Sequence, residues 1–162
     1  MLKHGGWAQC AEFYYNVQSD NGRLTERHEL YRWGQAYRSA MDRDRDPRVG
    51  RSLGDKLIQA GFTDVHTRTY RIPIGDWSTG NAGFFFPQRM MFDWVLANHM
   101  HTDARQKAIG IRNRENMEEL LETHAILPFT QRLGWSAEQV GWNVQGAKQE
   151  MQDTRLKLYL PL

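Results

Sequence analysis

Few side chains in this sequence have the reactivity for chemistry, and their spacing decides what each could do. A lone Cys10 lies in Gly5-Gly6-Trp7-Ala8-Gln9-Cys10-Ala11-Glu12-Phe13. As a nucleophile its thiolate would need a distant histidine as base. In an apolar run a cysteine is read more simply as a small packed hydrophobe. One cysteine excludes an intramolecular disulfide and a cysteine-based zinc site. His99-Met100-His101-Thr102-Asp103 alternates two imidazoles with a carboxylate, the content of a small open metal site. That stretch reads as a helix end, where positions i and i+2 point apart, so exposed histidines are expected and no metal. Met90-Met91 and Phe84-Phe85-Phe86 would suit an adaptable apolar pocket and suit a core at least as well. No phosphate-cradling glycine loop and no serine-centred elbow is present. Glu12 stands out as a single carboxylate in an apolar stretch. Burying it unpaired is costly, so it meets a partner or faces a cleft.

The elements that must position these groups follow from hydrophobic periodicity. Trp7, Ala11, Phe13, Tyr15 and Val17 fall on one face of a period-two pattern, with Ala8, Cys10 and Tyr14 on the other. A strand near 6–17 is predicted, inside a sheet covered on both faces. The Gly5-Gly6 turn precedes it and Asp20-Asn21-Gly22 ends it. A helix is predicted from Thr25, as N-cap, to Arg43, with Leu30, Trp33, Tyr37 and Met41 as its apolar stripe. A second runs over 49–60, burying Leu53, Leu57 and Ile58 and stopping at Gly61. Strands near 62–74 and 155–160 are predicted from alternation, the former closed by Pro73 and Gly75. Between them, Phe92, Val95, Leu96 and His99 fit one helix. Met117, Leu120, Leu121 and His124 fit another that ends before Pro128. Ser136 and Gln139 have capping-box spacing at the head of a helix to Met151.

Composition bounds the rest. The 162 residues suit one domain, with 21 Lys and Arg against 19 Asp and Glu and a formal charge of +2. The densest basic stretch, from Arg38 to Arg51, is interrupted by Asp42, Asp44 and Asp46. It is read as a solvated loop of ion pairs rather than a nucleic-acid face, which needs an unopposed basic stripe. No apolar run approaches a membrane span and no signal peptide is legible. The expected location is intracellular, cytoplasmic or nuclear, with no nucleic-acid or membrane partner.

Four motifs in a fixed order carry a resemblance. They are Leu2-Lys3-His4-Gly5-Gly6-Trp7, Leu57-Ile58-Gln59-Ala60-Gly61-Phe62, Pro73-Ile74-Gly75-Asp76-Trp77 and Leu133-Gly134-Trp135-Ser136. Together they resemble the C-terminal half of class I S-adenosylmethionine-dependent methyltransferases and, more narrowly, the fungal LaeA-type methyltransferases. The resemblance implies an α/β fold. It would be a partial Rossmann-like methyltransferase sheet holding only the C-terminal strands, with helices packed on it and a helical insertion. Residues 1–162 would then be a single, truncated, C-terminal part of a methyltransferase domain. The family's cofactor site lies in its other half, a glycine-rich turn after the first strand and an acid ending the second. Neither feature is in this sequence, so S-adenosylmethionine, the family's cofactor, is not expected to bind this chain alone. Gln9 and Cys10 depart from the family, which often has glutamate and an aromatic there.

Two functions follow. In one, the chain is the substrate-side half of an S-adenosylmethionine-dependent methyltransferase of fungal secondary metabolism, with its partner the missing N-terminal half. In the other, it is a non-catalytic methyltransferase remnant that binds a protein partner. Glu12, Trp77 and Trp94 are the expected substrate-side residues; the competing reading is an edge-exposed glutamate and two core tryptophans. Catalytic residues and the methyl acceptor are unassigned.

Overall fold

A computed structural model describes residues 3, 5–42, 45–78 and 102–162. In chain order these form β1 (Gln18–Ser19), α1 (Glu29–Met41), a 3-10 turn (Val49–Ser52) running into α2 (Leu53–Gln59), and β2 (Arg71–Pro73). Then come α3 (Thr102–Thr123), α4 (Ile126–Leu133), α5 (Ala137–Met151), a 3-10 turn (Thr154–Leu156) and β3 (Leu158–Pro161). The strands make one sheet in the order β1-β3-β2, with β3 antiparallel to both neighbours. β1 and β2 are therefore parallel to each other. The chain joining them crosses by way of α1 and α2, as a parallel pair requires.

The core lies between the sheet and the helices. α1 buries Leu30, Trp33, Ala36, Tyr37 and Ala40, the stripe that 3.6 periodicity predicts. Trp33 stacks on Tyr37 at 5.0 Å, meets Phe129 of α4 at 5.8 Å, and donates its indole N–H to Leu121 O at 3.1 Å. α5 contributes Val140, Val144, Ala147 and Met151, and β3 contributes Leu158 and Leu160. Burial of this apolar area is the main stabilising term.

Several expectations are met. Gly5 turns at φ 76° beneath a Gly6 N–H to Lys3 O bond of 2.9 Å. α2 stops at Gly61, φ 91°, with Gly61 N–H on Ile58 O and Phe62 N–H on Leu57 O, a Schellman closure. The capping box is formed in full: Gln139 N–H donates to Ser136 Oγ at 3.1 Å, and Ser136 N–H to Gln139 Oε1 at 2.8 Å. Around Arg48 the predicted ion pairs are present, to Asp46 at 3.3 Å and Asp42 at 3.8 Å.

Other expectations are corrected. Residues 6–17 form no strand; 5–12 are exposed, Trp7 at 81%, and only Phe13, Tyr15 and Val17 reach the core. β1 is two residues long and lies at the sheet edge, not inside a doubly covered sheet. Strand 62–74 contracts to Arg71–Pro73, although Tyr70 extends the pairing by exchanging bonds with Leu162 at 2.7 and 2.9 Å. The last strand begins at Leu158, because Asp153 caps a 3-10 turn and Lys157 adopts φ 48°. α1 starts at Glu29 rather than just after Thr25. The 49–60 helix is a 3-10 turn followed by α2, with Leu53 and Leu57 half-buried and Ile58 58% exposed. The helix that carries Met117, Leu120 and Leu121 does end before Pro128: α3 closes at Thr123, and a separate helix begins at Ile126. Pro128 sits in the first turn of α4, where a missing N–H costs nothing.

Candidate functional site

The end of the sheet where β2 stops is built by the Pro73-to-Trp77 turn. Pro73 and Ile74 are buried, and Ile74 N–H continues the ladder to Leu158 O at 2.8 Å. Gly75 has φ 90°, a conformation glycine adopts without a Cβ penalty. Its N–H donates to Gly110 O of α3 at 2.8 Å, and Asn113 Nδ2 donates to Pro73 O at 2.9 Å. A Cβ on Gly110 would run into Gly75 O, so α3 meets the turn glycine to glycine. Half-buried Trp77 donates its indole N–H to Leu158 O at 2.7 Å. Next to it Ser78 is fully buried and donates to Gln106 Oε1 at 2.8 Å.

Of the expected substrate-side residues, Trp77 is thus fixed at the β2 end of the sheet. Glu12 stands on the irregular, exposed segment, with its backbone beside Gly50 of the 3-10 turn. Its carboxylate is in water, so the desolvation argument that singled it out does not operate. Trp94 lies outside the described residues, as do Phe84-Phe85-Phe86, Met90-Met91, His99 and His101. Cys10 is exposed rather than packed. Among the described residues no cluster of three His, Cys, Asp or Glu could hold a metal ion. No described helix is long and apolar enough to cross a membrane.

α1 follows β1, and in an α/β unit the N-terminus of such a helix is where anionic parts of cofactors bind. Here those donors are spent. Glu29 N–H and Leu30 N–H donate to the two carboxylate oxygens of Glu150, from α5, at 2.9 and 2.8 Å. The preceding turn is closed by its own contacts. Asp20 pairs with Arg71 at 2.7 Å, Asn21 Nδ2 bonds Arg155 O at 2.9 Å, and Arg23 N–H bonds Ser19 Oγ at 3.0 Å. These residues do not fit the amino-acid end or ribose of S-adenosylmethionine.

A feature the sequence reading missed is an open groove of about 400 Å³ lined by Glu29, Arg32, Trp135, Gln139, Trp142 and Asn143. Trp142 is 69% exposed. An unpaired large aromatic at an outward-facing position of α5 is the signal that could have found it. Neither Glu12 nor Trp77 lines this groove.

No family model and no solved structure matches the chain. A probable methyltransferase, tdiE, of Emericella nidulans is 23% identical over 162 residues, 99% of this chain and 44% of that protein. The methyltransferase pytC of Aspergillus terreus is 24% identical over 92% of this chain and 39% of its own length. The secondary metabolism regulator laeA of Monascus pilosus is 22% identical over 86% and 32%. The chain spans less than half the length of these relatives. It resembles fungal methyltransferases of the LaeA type.

Proposed function

We propose that this chain, similar along nearly its whole length to those fungal methyltransferases, forms the C-terminal, substrate-side part of an S-adenosylmethionine-dependent methyltransferase domain acting in secondary metabolism. The observation that carries the reading is the match of 99% of the chain to a protein named as a methyltransferase. The parallel relation of β1 and β2 across helices α1 and α2 supports a Rossmann-like sheet of which these are the C-terminal strands.

The chain contributes to catalysis by position. Methyl transfer from a sulfonium needs alignment with the acceptor and a dry site more than acid or base help. The Pro73–Trp77 turn, gripped by β3 and α3, is a rigid platform at one end of the sheet. The amides and the acid that hold the cofactor come from outside the described residues.

A second reading is favoured by one observation: Trp7 stands in solvent on the irregular segment 5–12, and β1, further along the chain, is an edge strand. Such an edge invites strand pairing, as expected of a non-catalytic remnant docked on a partner protein. The full-length transcript separates the two. An open reading frame that continues upstream into a glycine-rich strand-to-helix turn supports the enzyme; its absence supports the docking module.

A further inference from the structure

We propose that the groove between the first turn of α1 and the first half of α5 binds an uncharged, planar aromatic molecule bearing carbonyl acceptors. About 400 Å³ of open space lies over its six lining residues, room for one flat ring system against the wall. Two indoles give it flat walls. Trp135 is held edge-on against Phe129 at 5.1 Å, whereas Trp142 leaves most of its surface in water. A stacked ring would bury that surface, the arrangement aromatic pairs favour.

The polar inventory selects the ligand's functional groups. The exposed side-chain acceptors of the groove each already hold a donor from the protein. Glu29 Oε1 takes Arg32 Nη1 at 2.6 Å and Oε2 takes Asn143 Nδ2 at 2.7 Å. Gln139 Oε1 is held in the capping box. Asn143 Oδ1 lacks a partner but is sealed from solvent, out of a ligand's reach. Donors remain: the indole N–H groups of Trp135 and Trp142 and the Gln139 Nε2 amide have no acceptor among the described residues. A donor-rich wall takes an acceptor-bearing guest. The charges of Arg32 and Glu29 cancel at 2.6 Å, so an anion gains little there and a neutral carbonyl is preferred. The site stands apart from Glu12 and Trp77 and does not depend on the methyltransferase reading.

The test is a titration of the whole chain with coumarin, a neutral planar lactone, followed by the indole N–H signals in nitrogen-15 NMR. Trp135 and Trp142 should shift together and saturably while Trp7 stays in place. Trp142→Ala, at an exposed position, should weaken binding about ten-fold. Trp142→Phe, which keeps the ring face but loses the donor, should weaken it about three-fold. Absence of saturable shifts, equal movement of Trp7, or unchanged binding in Trp142→Ala would overturn the site. Wild-type affinity in Trp142→Phe, or tighter binding of 2-naphthoate than of coumarin, would overturn the assigned ligand class.

Discussion

Glu150 shows at the scale of one residue what sequence reading can and cannot reach. It caps α1 from 121 positions away along the chain, taking both Glu29 and Leu30 N–H groups. A local scan for an N-cap stops at Thr25, whose N–H is instead met by His28 Nδ1 at 3.1 Å. By contrast Ser136 and Gln139 were legible, because the capping box closes within four residues. A carboxylate at a helix N-terminus supplies both hydrogen bonds and a favourable charge against the helix dipole. Glu150→Ala should therefore destabilise the fold by about 1–2 kcal/mol, and Glu150→Gln by about half that. Urea denaturation measures both; equal losses would remove the charge contribution. Asp153 gives a pH signature. The Arg155 side chain, then the Arg155 N–H, hold its carboxyl below the ordinary value of 3.8. A depressed folded pKa gives stability that is complete above the unfolded value and is lost as pH falls through the folded one. Between about pH 5 and about pH 3 the wild type should lose more stability than Asp153→Asn. Parallel pH profiles would contradict this.

At the scale of elements, the four motifs that carry the resemblance are joints rather than chemistry. Gly61 closes α2, and Gly134 ends α4 at φ 70° two residues before Ser136 caps α5. The Pro73–Trp77 turn ties β2 to β3 and α3 through Gly75 and Trp77. Such joints are legible because glycine, proline and capping residues act locally. What was illegible is pairing. The alternation over 6–17 located the core-facing Phe13, Tyr15 and Val17, but it cannot say where the chain finds partners: Tyr14 N–H meets Pro161 O and Tyr15 N–H meets Pro47 O, too sparse for a ladder. The helix end before Pro128 is legible by contrast, since α3 closes at Thr123 and the proline itself fits the first turn of α4. The Gly75–Gly110 contact yields the element-scale prediction. Gly110→Ala must displace α3 from the β2 turn and should cost about 1–3 kcal/mol, more than an alanine gains in a helix interior. Gly141→Ala, with open space at its Cβ, is the control and should be neutral or stabilising. A Gly110→Ala chain as stable as wild type would show that the close approach is dispensable.

At the scale of the molecule, a three-stranded sheet carries a rigid turn at one end and a layer of helices on its face, and our proposal puts the cofactor contacts elsewhere. The fold's helical layer and β3 were visible in the sequence, whereas the sheet order was not, because strand adjacency depends on contacts distant along the chain. The candidate site was read least well. Trp77 owes its fixed position to Leu158 O, Glu12 proves exposed, and Trp142 stands off the Val140, Val144, Ala147 and Met151 stripe of α5, a signal legible only once that helix's register is set. The most direct test is calorimetric titration of the purified chain with S-adenosylmethionine, paired with a thermal melt, because a ligand of the native state must raise the melting temperature. With Glu150 filling the α1 N-terminus, the account predicts no measurable heat and no shift in melting temperature. Micromolar binding with a matching rise in melting temperature would contradict it and place a cofactor site within this chain.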